Sequence, residues 1–385
     1  MENSNNKEIY KSLGLVSTLK TMQEKLENGT IKQCELKEMI DAISEISDEK
    51  EKDKEDYSKF FDINNKIFDY EKHLEKPSEI LETGIKPFDN LLGGGLCSGL
   101  TLLGAPSSMG KTTLLLNIVT NIILKHKKHI LYYSLEMSKD KLVDKIISYL
   151  CYILSNGENK ISDREVEQSN YNEYTDIVKA SKDYYFENIA PYLHIITLDV
   201  LPTVDIIEDI YKTFKENNIS CETDTDKQKP IIVIDYLQII KNKDTRMTDK
   251  QQVDYNATKI LEMTMANKLT TICISSLNRD SYREPKLLNI SCLKDSGNLE
   301  YSAENVIVLQ FRKIREMLKN NTIKLFDDEV EKKKEERELE LTAFKVRYGE
   351  IGHSNINYNA KCNIFLSCKE NVGTNRNKLM ERNMF

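Results

Sequence analysis

Residues 104–113 read Gly-Ala-Pro-Ser-Ser-Met-Gly-Lys-Thr-Thr, and this stretch decides the fold. Residues Ala105 to Thr112 match a Walker A loop in which alanine replaces the first glycine. A mostly apolar run, Leu100 to Leu103, precedes the loop, and the helix-like residues 114–119 follow it. This strand, loop and helix context predicts a P-loop nucleotide site.

The loop's chemistry favours a nucleotide polyphosphate. Successive backbone N–H groups and a helix N-terminus converge on one point and can hold phosphate oxygens. We expect Lys111 to reach the β and γ phosphates of ATP, and the Thr112 hydroxyl to ligate Mg²⁺. The predicted ATP-binding residues are Ala105, Pro106, Ser107, Ser108, Met109, Gly110, Lys111, Thr112 and Thr113.

Composition restricts the class of protein. The chain has 385 residues, and no apolar run approaches the length of a membrane span. The first residues lack the basic start and apolar core of a signal peptide. Eight cysteines are scattered without a Cys-x-x-Cys pair, which argues against a zinc site or a disulfide framework. We therefore expect a cytoplasmic protein with no membrane partner.

The net charge of −7 at first argues against a nucleic-acid partner. Most of this excess of acid lies in the first 80 residues, so the remainder of the chain is nearly neutral. Charge therefore gives no positive evidence for nucleic-acid binding, and that evidence must come from motifs.

The chain divides into segments of different character. Residues 1–50 predict a helical hairpin, residues 51–77 a charged linker with an amphipathic helix, and residues 369–385 a mobile tail. The amphipathic helix packs on its own domain or docks on a neighbouring subunit, and the sequence does not choose between them. Residues 78–368 predict the ATPase domain, with a charged, solvated insertion at 312–340.

Strands and helices alternate from Glu82 onward, as a parallel sheet with crossover helices requires. The core strand candidates are short and apolar on both faces, which indicates burial between two helical layers. Two edge strands follow residue 344. The candidates are 100–103, 130–134, 231–234, 271–275, 306–309, 354–358 and 363–366.

Two acids follow such strands. Asp235 ends the run Ile231 to Ile234, the Walker B arrangement, and can order a Mg²⁺-bound water. Glu136 follows residues 131–135 and can polarise the attacking water, because both strands end at the edge where α/β sheets bind ligands. The alternatives are a turn residue for Asp235 and a helix N-terminal acid for Glu136.

The order of motifs resembles the C-terminal RecA-like ATPase domain of DnaB-type replicative helicases. The resemblance is collinear and extends over roughly residues 83 to 360. The matching stretches are TGIKPFDNLLGGGL (83–96), APSSMGKTT (105–113), SLEMS (134–138), IIVIDYLQII (231–240), ISSLNRD (274–280), CLKDSGNLE (292–300) and FKVRYGEIG (344–352).

The resemblance implies an α/β, RecA-like P-loop fold with a mostly parallel sheet behind a short all-α N-terminal region. It also implies a homo-oligomeric ring, usually a hexamer, with ATP sites between subunits and single-stranded DNA in its channel. Catalysis falls to Glu136 as general base and to Lys111, Lys345 and Arg347, the last two acting on the adjoining subunit's ATP. Metal binding falls to Thr112 and Asp235.

The same resemblance assigns a DNA loop and a coupling segment. The DNA loop has Lys294, Asp295 and Gly297, where the family has Arg-Glu-Ser-Gly, so lysine keeps the charge but loses the bidentate fork. The alternative is a polar surface loop. The coupling residues are Ser276, Asn278 and Arg279, and serine stands at 276 where the family usually has glutamine.

The leading hypothesis is an ATP-dependent DNA helicase that acts on single-stranded and forked DNA in replication, with a loader or primase as a further partner. The short N-terminal region fits a phage, plasmid or other mobile-element setting. The alternative is a RecA-like regulatory or assembly ATPase that acts on a protein partner without unwinding. Intact Lys111, Thr112, Glu136, Asp235 and Arg347 argue against a third hypothesis, a nonhydrolysing structural subunit.

Overall fold

The computed structural model describes only part of the chain. The chain divides into two units between Pro77 and Ser78, and the described residues all belong to the second. The predicted hairpin, linker and tail, at 1–50, 51–77 and 369–385, lie outside the described residues. The structure describes residues 79–171, 174–197, 203–218, 229–242, 246–278, 286–293, 303–323 and 326–367.

Strands and helices alternate through most of this unit. The strands are β1 (Gly99–Ala105), β2 (Ile130–Ser134), β3 (Leu193–Thr197), β4 (Ile231–Asp235), β5 (Thr270–Ser276), β6 (Asn305–Phe311), β7 (Glu336–Lys345), β8 (Gly352–Asn359) and β9 (Ile364–Ser367). The helices are α1 (Lys86–Leu91), α2 (Lys111–His126), α3 (Lys139–Leu154), α4 (Asp163–Glu167), α5 (Thr175–Asn188), α6 (Val204–Asn218), α7 (Asp249–Asn267), α8 (Arg312–Lys319) and α9 (Asp328–Lys332).

The strands form one sheet in the order β3-β2-β4-β5-β1-β6-β7-β8-β9 across the described residues. The pairs from β3 to β6 are parallel, and the pairs from β6 to β9 are antiparallel. Every strand predicted from the sequence is present, and the predicted mostly parallel α/β fold is confirmed. Strands β3 and β7 are additional.

Both faces of the parallel strands are buried. Alternate side chains of β1 divide between two cores: Leu103 and Ala105 face one helical layer, and Leu100 and Leu102 face the other. Helices α1 to α5 contribute to the first core, and α6 and α7 contribute to the second. The two layers leave the carboxyl ends of the parallel strands as the edge where a ligand can bind.

The predicted solvated insertion at 312–340 is wrong at its C-terminal end. Strand β7 begins at Glu336 and pairs antiparallel with β6, so residues 336–340 belong to the sheet. Leu339 and Glu340 are both buried, and hydrogen bonds from the Arg315 guanidinium and the Gln310 amide compensate the Glu340 carboxylate for its loss of water. The charged residues of this strand make its pattern of buried and exposed positions hard to recognise in the sequence.

No helix in the described part of the chain combines the length and the apolar character that spanning a membrane would need.

Candidate active site

The Walker A loop connects β1 directly to α2. Two of its residues adopt positive φ angles, Ser108 at 63° and Gly110 at 86°. A Cβ atom on Gly110 would lie 2.9 Å from Cε1 of Tyr358, so both the backbone angle and the close packing require glycine. The Tyr358 ring of β8 therefore packs against the loop at Gly110.

Lys111 begins α2 and turns back toward the loop. Its Nζ donates to the carbonyls of Ala105, at 2.9 Å, and Pro106, at 3.2 Å. Burial lowers the pKa of Lys111, while the nearby carboxylates of Asp235 and Glu136 oppose that shift. A partly buried cation among loop backbone groups and two acids suits the binding of a polyphosphate with a divalent metal.

Asp235 lies at the end of β4, beside β2, and its carboxylate is buried. The Tyr132 hydroxyl donates to its Oδ2 at 3.1 Å, and the Thr112 hydroxyl also bonds to it. Burial raises the pKa of Asp235, and these two hydrogen bonds counteract that shift. The two residues predicted to bind metal are thus in contact. A carboxylate and a hydroxyl are oxygen ligands, the kind that Mg²⁺ prefers, so the residues fit this ion.

Glu136 follows β2 by two residues and is exposed. The Leu135 N–H donates to the Asp235 carbonyl at 2.9 Å, which fixes the chain next to Glu136 against the end of β4. The charge of Glu136 influences the pKa values of both Lys111 and Asp235. The structure therefore brings Lys111, Asp235 and Glu136 to one edge of the sheet, with Glu136 on the solvent side.

Lys345 and Arg347, the residues predicted to act on the adjoining subunit's ATP and here called the finger residues, lie near the amino-terminal ends of the parallel strands. Strand β7 runs antiparallel to β6 and places Lys345 opposite Val306, near the start of β6. The backbone N–H of Arg347 donates to Asn305 Oδ1 at 3.4 Å. Asn305 pairs with Thr101, four residues before Ala105, so the Arg347 backbone lies about 13 Å along the strand direction from the start of the Walker A loop. Lys345 and Arg347 therefore do not lie at the Walker A loop of the same chain.

The predicted coupling residues Ser276 and Asn278 lie beside the Walker A loop. Ser276 ends β5 opposite Ala105, and its N–H donates to Gln238 Oε1 at 3.0 Å. The Gln238 amide also donates to Ser275 Oγ at 3.0 Å. The Asn278 N–H donates to the Cys292 carbonyl at 2.7 Å. Hydrogen bonds thus connect Ser276 to Gln238, which follows β4, and Asn278 to Cys292, which precedes the predicted DNA loop.

The predicted DNA-binding residues Lys294, Asp295 and Gly297 lie outside the described residues, as does Arg279. Leu293, immediately before that loop, forms an antiparallel bridge with Leu277. A Cβ atom on Gly104 would lie 2.9 Å from Leu293 and 3.0 Å from Leu277. The bridge therefore packs against the residue that precedes the Walker A loop.

Sequence reasoning missed side chains that contact the site from other strands. Tyr132 is one, because its contact with Asp235 depends on β2 lying beside β4. Arg337 is another: its Nη1 donates to the Ser108 carbonyl at 2.8 Å, and its guanidinium lies 5.5 Å from the centre of the Tyr358 ring. Only the strand order could have indicated either contact.

The family model and two curated relatives that match this chain are all named as helicases. Residues 81–367 match the family model described as the DnaB-like helicase C terminal domain. A probable replicative DNA helicase of Trieres chinensis is 28% identical over 235 residues, which cover 60% of this chain and 47% of that protein. The replicative DNA helicase DnaB of Buchnera aphidicola subsp. Baizongia pistaciae is 25% identical over 234 residues, which cover 60% and 46%. The chain spans about half the length of these curated relatives.

Two solved structures show the same fold. One is an ATPase domain, which aligns with a TM-score of 0.62 and 19% identity, covering 79% of this chain and 97% of that one. The other is a DnaB-like replicative helicase, solved in a study of its interactions with primase. It aligns with a TM-score of 0.63 and 18% identity, covering 94% of this chain and 77% of that one. The sheet described above is therefore a RecA-like α/β fold.

Proposed function

Because the chain belongs to the DnaB-like helicase C terminal domain family, we propose that it is an ATP-dependent DNA helicase that acts in DNA replication. One observation carries this proposal: Lys111, Thr112, Asp235 and Glu136 converge at one edge of the sheet. The segment that leads to the predicted DNA loop, through Leu293, packs on the residue before the Walker A loop.

Each residue has a role in hydrolysis. The loop N–H groups and the Lys111 ammonium bind the phosphates of ATP, and the Thr112 hydroxyl and the Asp235 carboxylate hold Mg²⁺. When bound, Mg²⁺ would neutralise charge on the β and γ phosphates. Tyr132 keeps the Asp235 carboxylate oriented. Glu136, exposed beside them, orients the attacking water and accepts its proton.

Completion of the site requires a second copy of the chain. Lys345 and Arg347 lie about 10 and 13 Å along the strand direction from the start of their own Walker A loop and are also two strands away from β1, too far for either side chain to reach a phosphate bound there. We place them at the ATP site of an adjoining subunit, where a guanidinium stabilises the charge of the transition state. A closed homo-oligomer, most simply a hexameric ring, repeats this contact at each interface.

We propose that the protein binds single-stranded DNA and translocates along it. The proposed contacts are made by the loop that contains Lys294, Asp295 and Gly297, in which Lys294 and the backbone N–H groups near Gly297 contact phosphates without sequence preference. Ser276 and Asn278 connect this loop to the ATP edge, because their backbone bonds reach Gln238 and Cys292. Together with Arg279, these residues are proposed to couple ATP hydrolysis to DNA binding.

Partners beyond DNA are proposed from the family. One solved relative was studied for its interactions with primase, and we propose primase or a loader as a partner of this chain too. Residues 1–77, separate from the ATPase unit, are the segment to test for that contact.

The experiment that tests the proposal is strand displacement on a forked duplex with a 5′ tail. The parent, Glu136→Gln and the control Glu187→Gln, an exposed acid on α5, are compared with ATP and Mg²⁺. We expect unwinding by the parent and the control but not by Glu136→Gln. Hydrolysis by an assembled parent that unwinds no DNA would instead support the regulatory ATPase.

A further inference from the structure

Arg347 is engaged within its own subunit. Its Nη1 donates to both carboxylate oxygens of Glu304, each at 2.7 Å. Both hydrogen bonds use one nitrogen, so this is not the two-nitrogen fork that arginine forms with a tightly bound carboxylate. The finger residue thus has an acidic partner in the isolated subunit.

Glu304 is held firmly in place. Its backbone N–H donates to the Leu100 carbonyl at 2.9 Å, just before β6 begins. Its side chain lies across Gly99, where an added Cβ atom would be 2.4 Å from the Glu304 Cγ. Only 12% of the Glu304 side chain is exposed, whereas 59% of the Arg347 side chain is exposed. The acid is therefore the fixed member of the pair, and the arginine is the accessible one.

The backbone that carries Arg347 is also fixed. The Glu350 N–H donates to the Leu91 carbonyl at 3.2 Å. A Cβ atom on Gly349 would lie 2.0 Å from that same carbonyl oxygen, and one on Gly93 would lie 2.4 Å from the Tyr348 carbonyl oxygen. Because this loop packs so closely on the end of α1, Arg347 can change partner by rotating its side chain without movement of the loop.

Two apolar side chains that follow Arg347 are exposed. Tyr348 is 67% exposed and Ile351 is 73% exposed. Large apolar side chains with this exposure, next to an arginine that cannot reach its own ATP site, mark a surface that a second copy of the chain covers. The loop therefore presents Arg347 toward the adjoining subunit.

We propose that Glu304 is a positioning residue that holds Arg347 in its own subunit until the adjoining subunit presents a bound nucleotide. The inference rests on the proposed function, in which Arg347 acts in trans. An exposed ion pair is weak, so a triphosphate with several negative charges displaces Glu304 readily. After loss of the γ phosphate, Arg347 returns to Glu304, which makes its position depend on the neighbour's nucleotide.

The test is steady-state ATP hydrolysis at a series of protein and ATP concentrations. Glu304→Gln removes the charge that holds Arg347, and Glu304→Asp keeps the charge but shortens its reach. Glu350→Gln is the matched control, because it removes one negative charge from the loop that carries Arg347 and leaves the ion pair between Arg347 and Glu304 in place. Arg347→Ala, alone and combined with Glu304→Gln, completes the cycle.

We expect both Glu304 variants to raise kcat/KM for ATP by about threefold to fivefold, the effect of losing an exposed ion pair, and Glu350→Gln to leave it unchanged. The gain must disappear in the Arg347→Ala background. A purely structural role for Glu304 would lower activity and Tm together, so an increase identifies release of the finger.

The failures of the two proposals are distinguishable. If Arg347→Ala hydrolyses ATP like the parent in assembled protein, Arg347 is not a finger and the proposed function loses its trans site. If Arg347→Ala is inactive but neither Glu304 variant exceeds Glu350→Gln, the finger stands and the holding role of Glu304 is wrong.

Discussion

Arg347 and Lys111 lie at opposite ends of the parallel strands of the sheet. Lys111 bonds to the carbonyl of Ala105, at the carboxyl end of β1, and Arg347 bonds to Glu304, before the start of the parallel strand β6. Glu304 is level with Leu100, five residues before Ala105, so about 17 Å of strand separates the two contacts. In the proposed ring, the Walker A loop of one subunit and Arg347 of its neighbour form one ATP site. Each subunit therefore contributes to two sites, and hydrolysis depends on assembly.

The hydrogen bond from Tyr132 to Asp235 gives a prediction about Mg²⁺. Tyr132→Phe leaves the buried carboxylate with one partner fewer, so the Mg²⁺ concentration for half-maximal hydrolysis should rise by about fivefold. Calorimetric binding of Mg²⁺ with a nonhydrolysable nucleotide should weaken similarly.

Tyr133→Phe is the matched control for this prediction. The Tyr133 hydroxyl donates to the Ile207 carbonyl at 3.1 Å, in the core on the other face of the sheet. This variant should lose about 1 kcal/mol of stability without a change in Mg²⁺ dependence. Equal Mg²⁺ shifts in both variants would show that Tyr132 does not position Asp235.

Much of this site could be predicted from local sequence, and the remainder could not. Asp235 is recognisable because it ends a run of buried aliphatic residues that shows its strand, and Lys111 because the Walker A loop that contains it follows such a strand. Tyr132 and Arg337 reach the site through strand pairing and through contacts more than 100 residues apart in sequence. Strand β7 escaped prediction because its buried Glu340 reads as a solvated charge until Arg315 is placed beside it.

That buried ion pair gives a second prediction. The Arg315 guanidinium donates through Nε and Nη2 to Glu340 at 2.7 and 2.8 Å. Arg315→Ala should reduce the free energy of unfolding by about 2 kcal/mol, less than for a fully buried pair because Arg315 is partly exposed. Urea denaturation at neutral pH measures this.

The double variant Arg315→Ala with Glu340→Gln serves as the control, because it leaves no uncompensated buried charge. It should recover part of the lost stability. A double variant no more stable than the single one would argue that the helix α8, rather than the charge pair, is what Arg315 supports.

Asp89 gives a prediction about pH. Burial raises the pKa of Asp89 from 3.8 to about 6, although Thr83 donates two hydrogen bonds to its Oδ1. The folded state therefore favours the neutral carboxyl. This contribution to stability is full below pH 3.8 and is lost as the pH rises through 6.

Asp89→Asn removes this dependence and keeps an oxygen that accepts from Thr83. Relative to the variant, the parent should lose up to about 3 kcal/mol of unfolding free energy between about pH 4 and pH 7. Urea denaturation across this range measures the difference, with the exposed Asp140→Asn as control. A constant difference between parent and Asp89→Asn at all pH values would contradict the raised pKa.

The proposed DNA loop predicts a salt effect. Lys294→Ala should weaken binding to single-stranded DNA and reduce the slope of log affinity against log salt by about 0.7, the value for one phosphate contact. Fluorescence anisotropy with a labelled oligonucleotide measures both. Lys179→Ala, at an exposed position of α5, is the control of equal charge, and identical slopes for the two variants would exclude Lys294 from the contact.

The most direct test of the two-subunit site mixes two inactive variants before assembly and measures ATP hydrolysis. Lys111→Ala lacks a functional loop but keeps its finger, and Arg347→Ala has the reverse defect. An equimolar mixture should recover about one quarter of the parent rate, since half the loops are intact and half of those have a finger-bearing neighbour. Mixing Lys111→Ala with Glu136→Gln, whose defects both lie at the loop edge, should recover nothing. A Lys111→Ala and Arg347→Ala mixture no more active than its separate components would contradict catalysis across the subunit interface.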